Sequence, residues 1–252
     1  MTNTWTQGAV IVTGGGRGIG ARIAVRAARS GAPIAILYRS RDAEAAAVVA
    51  EIECAGGRAI AIRADIADEA QIVAAFARID EQLGRIGGLV NNAATTGERA
   101  RVAEVTRDQL ERTWATNITG AFLCCREAIH RMSTAAGGTG GAIVNVSSIA
   151  ARTGSPGVWV HYAAAKAALE TLSLGLAREV AAEGIRVNVV RPGVIATEIH
   201  DGQGNDRLRA LLAQVPMGRM GEPAEVAEVA AYLLSADASY VTGAVIEAGG
   251  GL

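Results

Sequence analysis

Three features of this 252-residue chain predict an α/β fold built on a doubly wound parallel sheet of about seven strands with helices on both faces. Short apolar runs alternate with longer amphipathic stretches along the chain, and that alternation makes each helix a crossover between parallel strands. The first apolar run, Ala9–Val12, meets a glycine cluster before the first helical pattern begins. Polar pairs, Asn91-Asn92 and Ser147-Ser148, stand at the carboxyl ends of later runs, the edge where such a sheet keeps its ligands.

Composition narrows the function classes. Half the residues are apolar and 19 % are charged, enough to bury a sizeable core and too ordered a composition for a disordered chain. Aromatics are only 4 %, so the core depends on close approach of small side chains. A net charge of −1 argues against nucleic acid as a partner. No apolar run reaches membrane-spanning length, so no membrane partner is expected. Cys54, Cys124 and Cys125 lack zinc-ligand spacing, and His130, His161 and His200 are scattered. No catalytic metal is expected. The odd cysteine count and the lack of a secretory signal predict a reducing, cytoplasmic setting.

The elements follow in order. Ala9–Val12 is a strand. Thr13-Gly14-Gly15-Gly16-Arg17-Gly18-Ile19-Gly20 is a tight turn in the pattern T-G-x-x-x-G-x-G. Its glycines admit positive φ and close backbone approach, and the helix from Ile19 offers free N–H groups to a pyrophosphate. Ile34–Leu37 is a second strand, followed by Tyr38-Arg39-Ser40-Arg41-Asp42. An acid just past this strand would bind the free 2′-hydroxyl of NAD. Arg39 and Ser40 stand there instead, with Arg17 in reach, which suits the 2′-phosphate of NADP. NADP(H) is therefore expected over NAD(H).

A helix capped by Asp42 runs to Cys54. A strand from Ala59 to Ile62 leads to Asp65-Ile66, and Asp68 caps a helix to about Leu83. Gly88–Asn91 is a fourth strand ending in Asn91-Asn92-Ala93-Ala94. One long helix, about 106–132, carries Asn117 in its middle, where an Asn needs a partner or a kink. Ala142–Val146 is the fifth strand. Residues 149–160 read as irregular, and Tyr162 opens a helix to about Ala182 with an apolar stripe of Leu169, Leu172 and Leu176. Ile185–Val190 is the sixth strand, followed by Pro192-Gly193-Val194-Ile195-Ala196-Thr197. Residues 194–215 read as a mobile substrate lid. Glu222-Pro223 starts a helix to Ser235, and Val241–Glu247 is the seventh strand. With no linker, repeat or low-complexity segment, residues 1–252 read as one domain. Tyr162 and Lys166, four residues apart, share one helix face. An ammonium there is expected to lower the phenol pKa, and the Ser148 hydroxyl to bind an oxygen that gains charge.

Taken together and in order, these motifs resemble the short-chain dehydrogenase/reductase family over essentially the whole chain. Thr13, Gly14, Gly18 and Gly20 meet its glycine motif and Asp65 its adenine-side acid. Asn91-Asn92-Ala93-Ala94 meets its N-N-A-G motif. Asn117, Ser148, Tyr162 and Lys166 meet its catalytic set, and Pro192, Gly193 and Thr197 its P-G-x-x-x-T segment. There are two departures. Ala94 replaces a glycine, and Ser148 lies fourteen residues before Tyr162 where most members have one residue fewer. A bulge near Val158-Trp159-Val160 is expected to hold the extra residue.

The resemblance implies a Rossmann-like fold that binds NADP(H) and transfers a hydride between nicotinamide and a carbonyl or secondary alcohol. It implies that the cofactor is held by Gly14, Gly16, Arg17, Gly18, Ile19, Gly20, Arg39, Ser40, Asp65, Ile66, Asn92, Ala93, Ala94, Tyr162, Lys166, Pro192, Gly193, Ile195 and Thr197. Tyr162 would be the general acid/base and Ser148 would hold the substrate oxygen. Lys166 would depress the tyrosine pKa and bind ribose, and Asn117 would hold a relay water. A homotetramer is also implied. The alternatives are an NAD-dependent dehydrogenase of 3-oxoacyl thioesters or sugars, and a cofactor-binding regulator or scaffold on the same fold. The walls of the substrate pocket are expected from Thr95–Arg101, Ser155–Trp159 and the segment 198–215.

Overall fold

A computed structural model describes residues 8–198 and 205–252. Seven strands, β1 Ala9–Thr13, β2 Ile34–Tyr38, β3 Ala59–Arg63, β4 Ile86–Asn91, β5 Gly141–Val146, β6 Ile185–Pro192 and β7 Val245–Ala248, form one sheet in the order β3-β2-β1-β4-β5-β6-β7. Every adjacent pair is parallel. The strand order reverses between β1 and β4, which opens a crevice at their carboxyl ends.

The pleat sorts β1 onto two cores. Val10 and Val12 face a cluster with α1 (Gly18–Ala28), α2 (Asp42–Cys54) and α9 (Pro223–Leu234). Ala9 and Ile11 face a second cluster with α3 (Glu69–Leu83), α5 (Ala121–Met132) and α7 (Val160–Val180). Strands buried on both faces are continuous apolar runs rather than alternating ones, because helices cover both sides. Cys124 and Cys125 are buried in the second core, as is Leu176 of the expected stripe; Leu169 is also buried, and Leu172 partly buried.

Several local expectations are met. Asp68 caps α3 by accepting from the Gln71 N–H. Glu222 and Glu225 form a capping box around the start of α9, with Pro223 in its first turn. Others are corrected. Asp42 does not cap α2: the cap is Arg41, at φ 70°, and Asp42 is the first helical residue, where its carboxylate accepts from the Tyr38 hydroxyl at 2.9 Å. The long helix 106–132 is interrupted. It comprises α4 (Arg107–Trp114), a π-helical turn Ala115–Gly120 and α5. A π turn takes one residue more per hydrogen-bonded ring, and here it carries Asn117. Gly120 closes that turn against the Ile66 carbonyl, which lies 2.4 Å from where a Cβ would stand.

Residues 149–160 contain a short helix, α6 (Ala150–Thr153). Val160 starts α7, and Trp159 before it is non-helical at φ −144° and ψ 48°. The left-handed residues of this connection are Gly154, Ser155 and Gly157. The last strand is Val245–Ala248 rather than 241–247, since residues 241–244 serve as the turn that pairs with Val187 and Asn188. The remaining helix, α8, spans Asn205–Leu212, and residues 199–204 of the expected lid lie outside the described residues. No described helix is long and apolar enough to cross a membrane.

Candidate active site

The glycine turn is shaped for close approach. Gly14 and Gly18 lie at φ 63° and 53°, where an L side chain is strained. A Cβ on Gly20 would meet the Gly14 carbonyl at 2.4 Å and Asn92 Nδ2 at 2.5 Å. Asn92 stitches the turn to the end of β4. Its Nδ2 donates to the Thr13 and Gly14 carbonyls at 3.0 and 3.2 Å, while the Asn92 and Ala93 N–H groups donate to Thr13 Oγ1, both at 3.0 Å. Ala94 is exposed and outside the left-handed region, so its methyl in place of a glycine hydrogen introduces no strain.

Ile19 packs its side chain on the first core, leaving its backbone to the helix N-terminus. The Thr197 methyl lies 3.6 Å from where a Cβ on Gly18 would stand; its hydroxyl donates to the Ile195 carbonyl at 3.3 Å, and it sits on a segment that pairs Ile195 with Gly221. Pro192 is buried, and the Gly249 backbone lies 2.7 Å from where a Cβ on Gly193 would stand. A cavity of about 480 Å³ opens beside the turn, lined among others by Gly16, Arg17, Gly18, Glu44, Ala196 and Pro223.

At the ribose end, Arg39 and Ser40 are exposed at the tip of β2, and the Arg39 carbonyl accepts from Arg63 Nε at 3.2 Å. Arg17 and Arg41 both pair with Glu198, the second at 3.1 Å. Glu198 was not legible as a partner, since it lies 181 residues from Arg17. Asp65 accepts from the Ala67 N–H at 3.0 Å, which turns its loop, and Ile66 is buried behind it.

The four catalytic candidates converge from β5, the π turn and α7. Tyr162 is 8 % exposed and Lys166 2 %. The Tyr162 hydroxyl is hydrogen-bonded to the Ser148 hydroxyl. Ser147, the other candidate, donates to Glu170 Oε1 at 2.6 Å and is turned away. Lys166 Nζ donates to the Val146 carbonyl at 2.6 Å and lies 5.8 Å from the centroid of the Tyr162 ring.

One expectation is corrected here: the phenol of Tyr162 is not lowered. Burial pushes it up to about 12, with Ser148 pulling the other way, because the ammonium is spent on the Val146 carbonyl and is itself penalised by burial. That burial lowers Lys166 to about 8, opposed by the Glu170 carboxylate. The side chain of Asn117 bonds the loop after β4. Its Oδ1 accepts from the Thr95 N–H at 2.9 Å and its Nδ2 donates to the Thr95 carbonyl at 2.8 Å, which locks the π turn to the loop after β4. The pocket walls also meet: the Ala100 N–H donates to the Val158 carbonyl at 3.1 Å, and the Arg99 guanidinium lies 5.2 Å from the centroid of the Trp159 ring.

A feature visible in the sequence gains meaning only in this setting: Lys166 is the single lysine among 24 basic residues. Arginine cannot be neutralised in a protein, whereas a buried lysine titrates readily.

Known proteins share this architecture. A family profile described as enoyl-(acyl carrier protein) reductase matches residues 14–252. The chain is 48 % identical over 242 residues to an uncharacterized oxidoreductase, YgfF, of Escherichia coli (strain K12), covering 96 % of this chain and 98 % of that protein. A blue fluorescent protein from a metagenomic library, solved in complex with NADPH, is 39 % identical with a TM-score of 0.89, over 98 % of both chains. A short-chain dehydrogenase/reductase from Serratia marcescens BCRC 10948 is 34 % identical with a TM-score of 0.91, also over 98 % of both chains.

Proposed function

Because the chain belongs to the short-chain dehydrogenase/reductase family, we propose that it is an NADP(H)-dependent oxidoreductase acting on a carbonyl or secondary alcohol, with Tyr162 as general acid/base. The observation that carries this reading is the buried pair of Tyr162 and Lys166 with the half-buried Ser148 beside them at the carboxyl end of β5, next to a glycine turn too tight for any Cβ at Gly20. That turn fits a dinucleotide, whose pyrophosphate would lie on the N-terminus of α1. A bound nicotinamide cofactor would supply or accept the hydride.

The chain's own residues do the rest. In the reductive direction Tyr162 gives its proton to the carbonyl oxygen, and the Ser148 hydroxyl holds that oxygen as charge develops on it. Lys166, charged below about pH 8, stabilises the phenolate left on Tyr162 and reaches ribose hydroxyls. Asn117 fixes the loop at Thr95 that walls the pocket. Arg39 and Ser40, with Arg17 and Arg41, receive the 2′-phosphate. Asp65 and Ile66 border the adenine, and Ile195 with Thr197 borders the carboxamide. The segment 194–215 serves as the lid. Trp114, Phe122 and Leu174 are exposed apolar side chains that a tetramer would cover.

The test is Tyr162→Phe, assayed by NADPH consumption over a panel of hydrophobic ketones and aldehydes. Turnover should fall by at least about a hundredfold with NADPH binding unchanged. Near-normal turnover in the variant would overturn the proton role.

A further inference from the structure

We propose that Glu170 is a positioning residue that holds Lys166 charged and clamps the catalytic end of β5, with Arg191 as its counterweight. The proposal rests on the roles given above to Lys166 and Tyr162. Glu170 lies one helical turn after Lys166 on α7, and helical side chains lean back over the preceding turn. Its carboxylate reaches the same strand end as the ammonium. Ser147 donates to Glu170 Oε1 at 2.6 Å, while Lys166 Nζ donates to the carbonyl of the adjacent Val146 at 2.6 Å. Ser147 thus stands between the lysine's acceptor and the catalytic candidate Ser148. Holding it holds both.

Arg191, on β6, grips Glu170 with two bonds of 2.9 and 2.6 Å and reaches Glu247 on β7 at 3.1 Å. Arg152 on α6 adds a contact to Glu247 at 3.5 Å. Both members of the central pair are less than a fifth exposed, so solvent screens them weakly. A cluster of two arginines and two carboxylates is neutral as a whole. Its geometry is not: Glu170 is the member that shares α7 with the lysine, one turn away, and bonds the residue after the lysine's acceptor, and its charge raises the Lys166 pKa against burial.

The remaining surroundings of Lys166 leave Glu170 as the carboxylate in play. On α7, His161 turns to the Thr96 carbonyl at 3.0 Å, and Tyr162 is held neutral by burial. The π turn and β5 carry no titratable side chain. On α4, Arg107 pairs with Glu111 and Arg112 with Asp108 on the exposed side. On α5, burial keeps the Cys124 and Cys125 thiols protonated.

Because the chain has one lysine, an untagged protein grown on 13C-labelled lysine gives one side-chain resonance, whose pH titration reads Lys166 directly. Glu170→Gln should lower its midpoint by about one pH unit and Arg191→Met should raise it, since each removes a charge of opposite sign near the ammonium. Glu170→Asp should leave it within a few tenths. The alkaline limb of kcat/KM should move with the resonance in every variant. A merely structural ion pair would shift both single variants in the same direction or in neither, and either result overturns the proposal. Should Glu170→Gln fail to fold, the sign of the shift in Arg191→Met decides alone. Failure of the catalytic reading looks different: the resonance would shift as described while Tyr162→Phe kept its turnover.

Discussion

Lys166→Met should remove a gain in stability that the parent makes as the pH rises above about 8. Lys166 titrates near 8 in the folded chain against 10.5 for a free lysine, because burial removes its hydration. The unfolded chain therefore binds this proton more tightly. Below pH 8 the folded state bears the full penalty, and through the window from 8 to 10.5 stability rises because the folded state has released a proton that the unfolded state still holds. A gap of about 2.5 pH units at about 1.4 kcal/mol each makes the penalty about 3 kcal/mol at pH 7. Methionine matches the lysine stem in volume and carries no charge, so it removes this cost. It also strands the Val146 carbonyl, which accepts from Lys166 Nζ, at about 1–3 kcal/mol. The two nearly offset at pH 7, but only the first depends on pH. The stability of Lys166→Met relative to the parent should fall by about 2–3 kcal/mol between pH 7 and pH 10. Urea unfolding followed by far-UV circular dichroism at each pH measures it, and titration of Tyr162 and the carboxylates cancels in the comparison. A relative stability that stays flat over this range would show that Lys166 is not desolvated, and the argument from burial would fail.

Arg39→Ala should weaken NADPH binding by about 10–100-fold, the worth of a charge-assisted contact to a phosphate, and NADH binding by less than about threefold; equal losses for the two would refute the 2′-phosphate assignment. Glu198→Gln should tighten NADPH about two- to fivefold, the modest effect of releasing exposed ion pairs, because Glu198 competes for Arg17 and Arg41. Calorimetry with NADPH and NADH checks both variants, and an equal gain for NADH would show that these arginines do not read the phosphate. Gly20→Ala puts a methyl within 2.4 Å of the Gly14 carbonyl. It should cost about 1–3 kcal/mol of stability and, by moving Asn92, weaken cofactor binding at least about tenfold. A variant with parental melting temperature and affinity would mean that the turn yields more easily than its geometry implies.

Features carried by neighbours in the chain were the legible ones. Asp68 followed by Gln71 is a cap signal complete within four residues, and the structure has that cap. The seven strands were visible because each is a short apolar run closed by polar or turn residues, with only their ends displaced by one or more positions. Asn117 advertised a problem in mid-helix, and the π turn is where the chain resolves it. Its partner at Thr95, 22 residues earlier, was beyond local reading. Asp42 was misread as a cap because the residue before it, Arg41, adopts a left-handed conformation that propensity assigns to Gly or Asn. The pair Glu170–Arg191 was unreadable for another reason: each is an ordinary surface residue by type, and only the packing of α7 on β6 brings them together.

What the sequence by itself determined is the fold and, through its resemblance to a known family, the class of chemistry. Alternating apolar runs and a T-G-x-x-x-G-x-G turn are local patterns that sterics and periodicity interpret, whereas a tyrosine one helical turn from a lysine gained its meaning from the ordered set of motifs around it. What only the tertiary structure decided is the electrostatic state of the site. The phenol of Tyr162 is raised rather than lowered, and Lys166 is brought near 8. Those values depend on how much water is excluded and on which distant charges are folded inward. Both are properties of the packed sheet and its helices, and spacing along the chain carries neither.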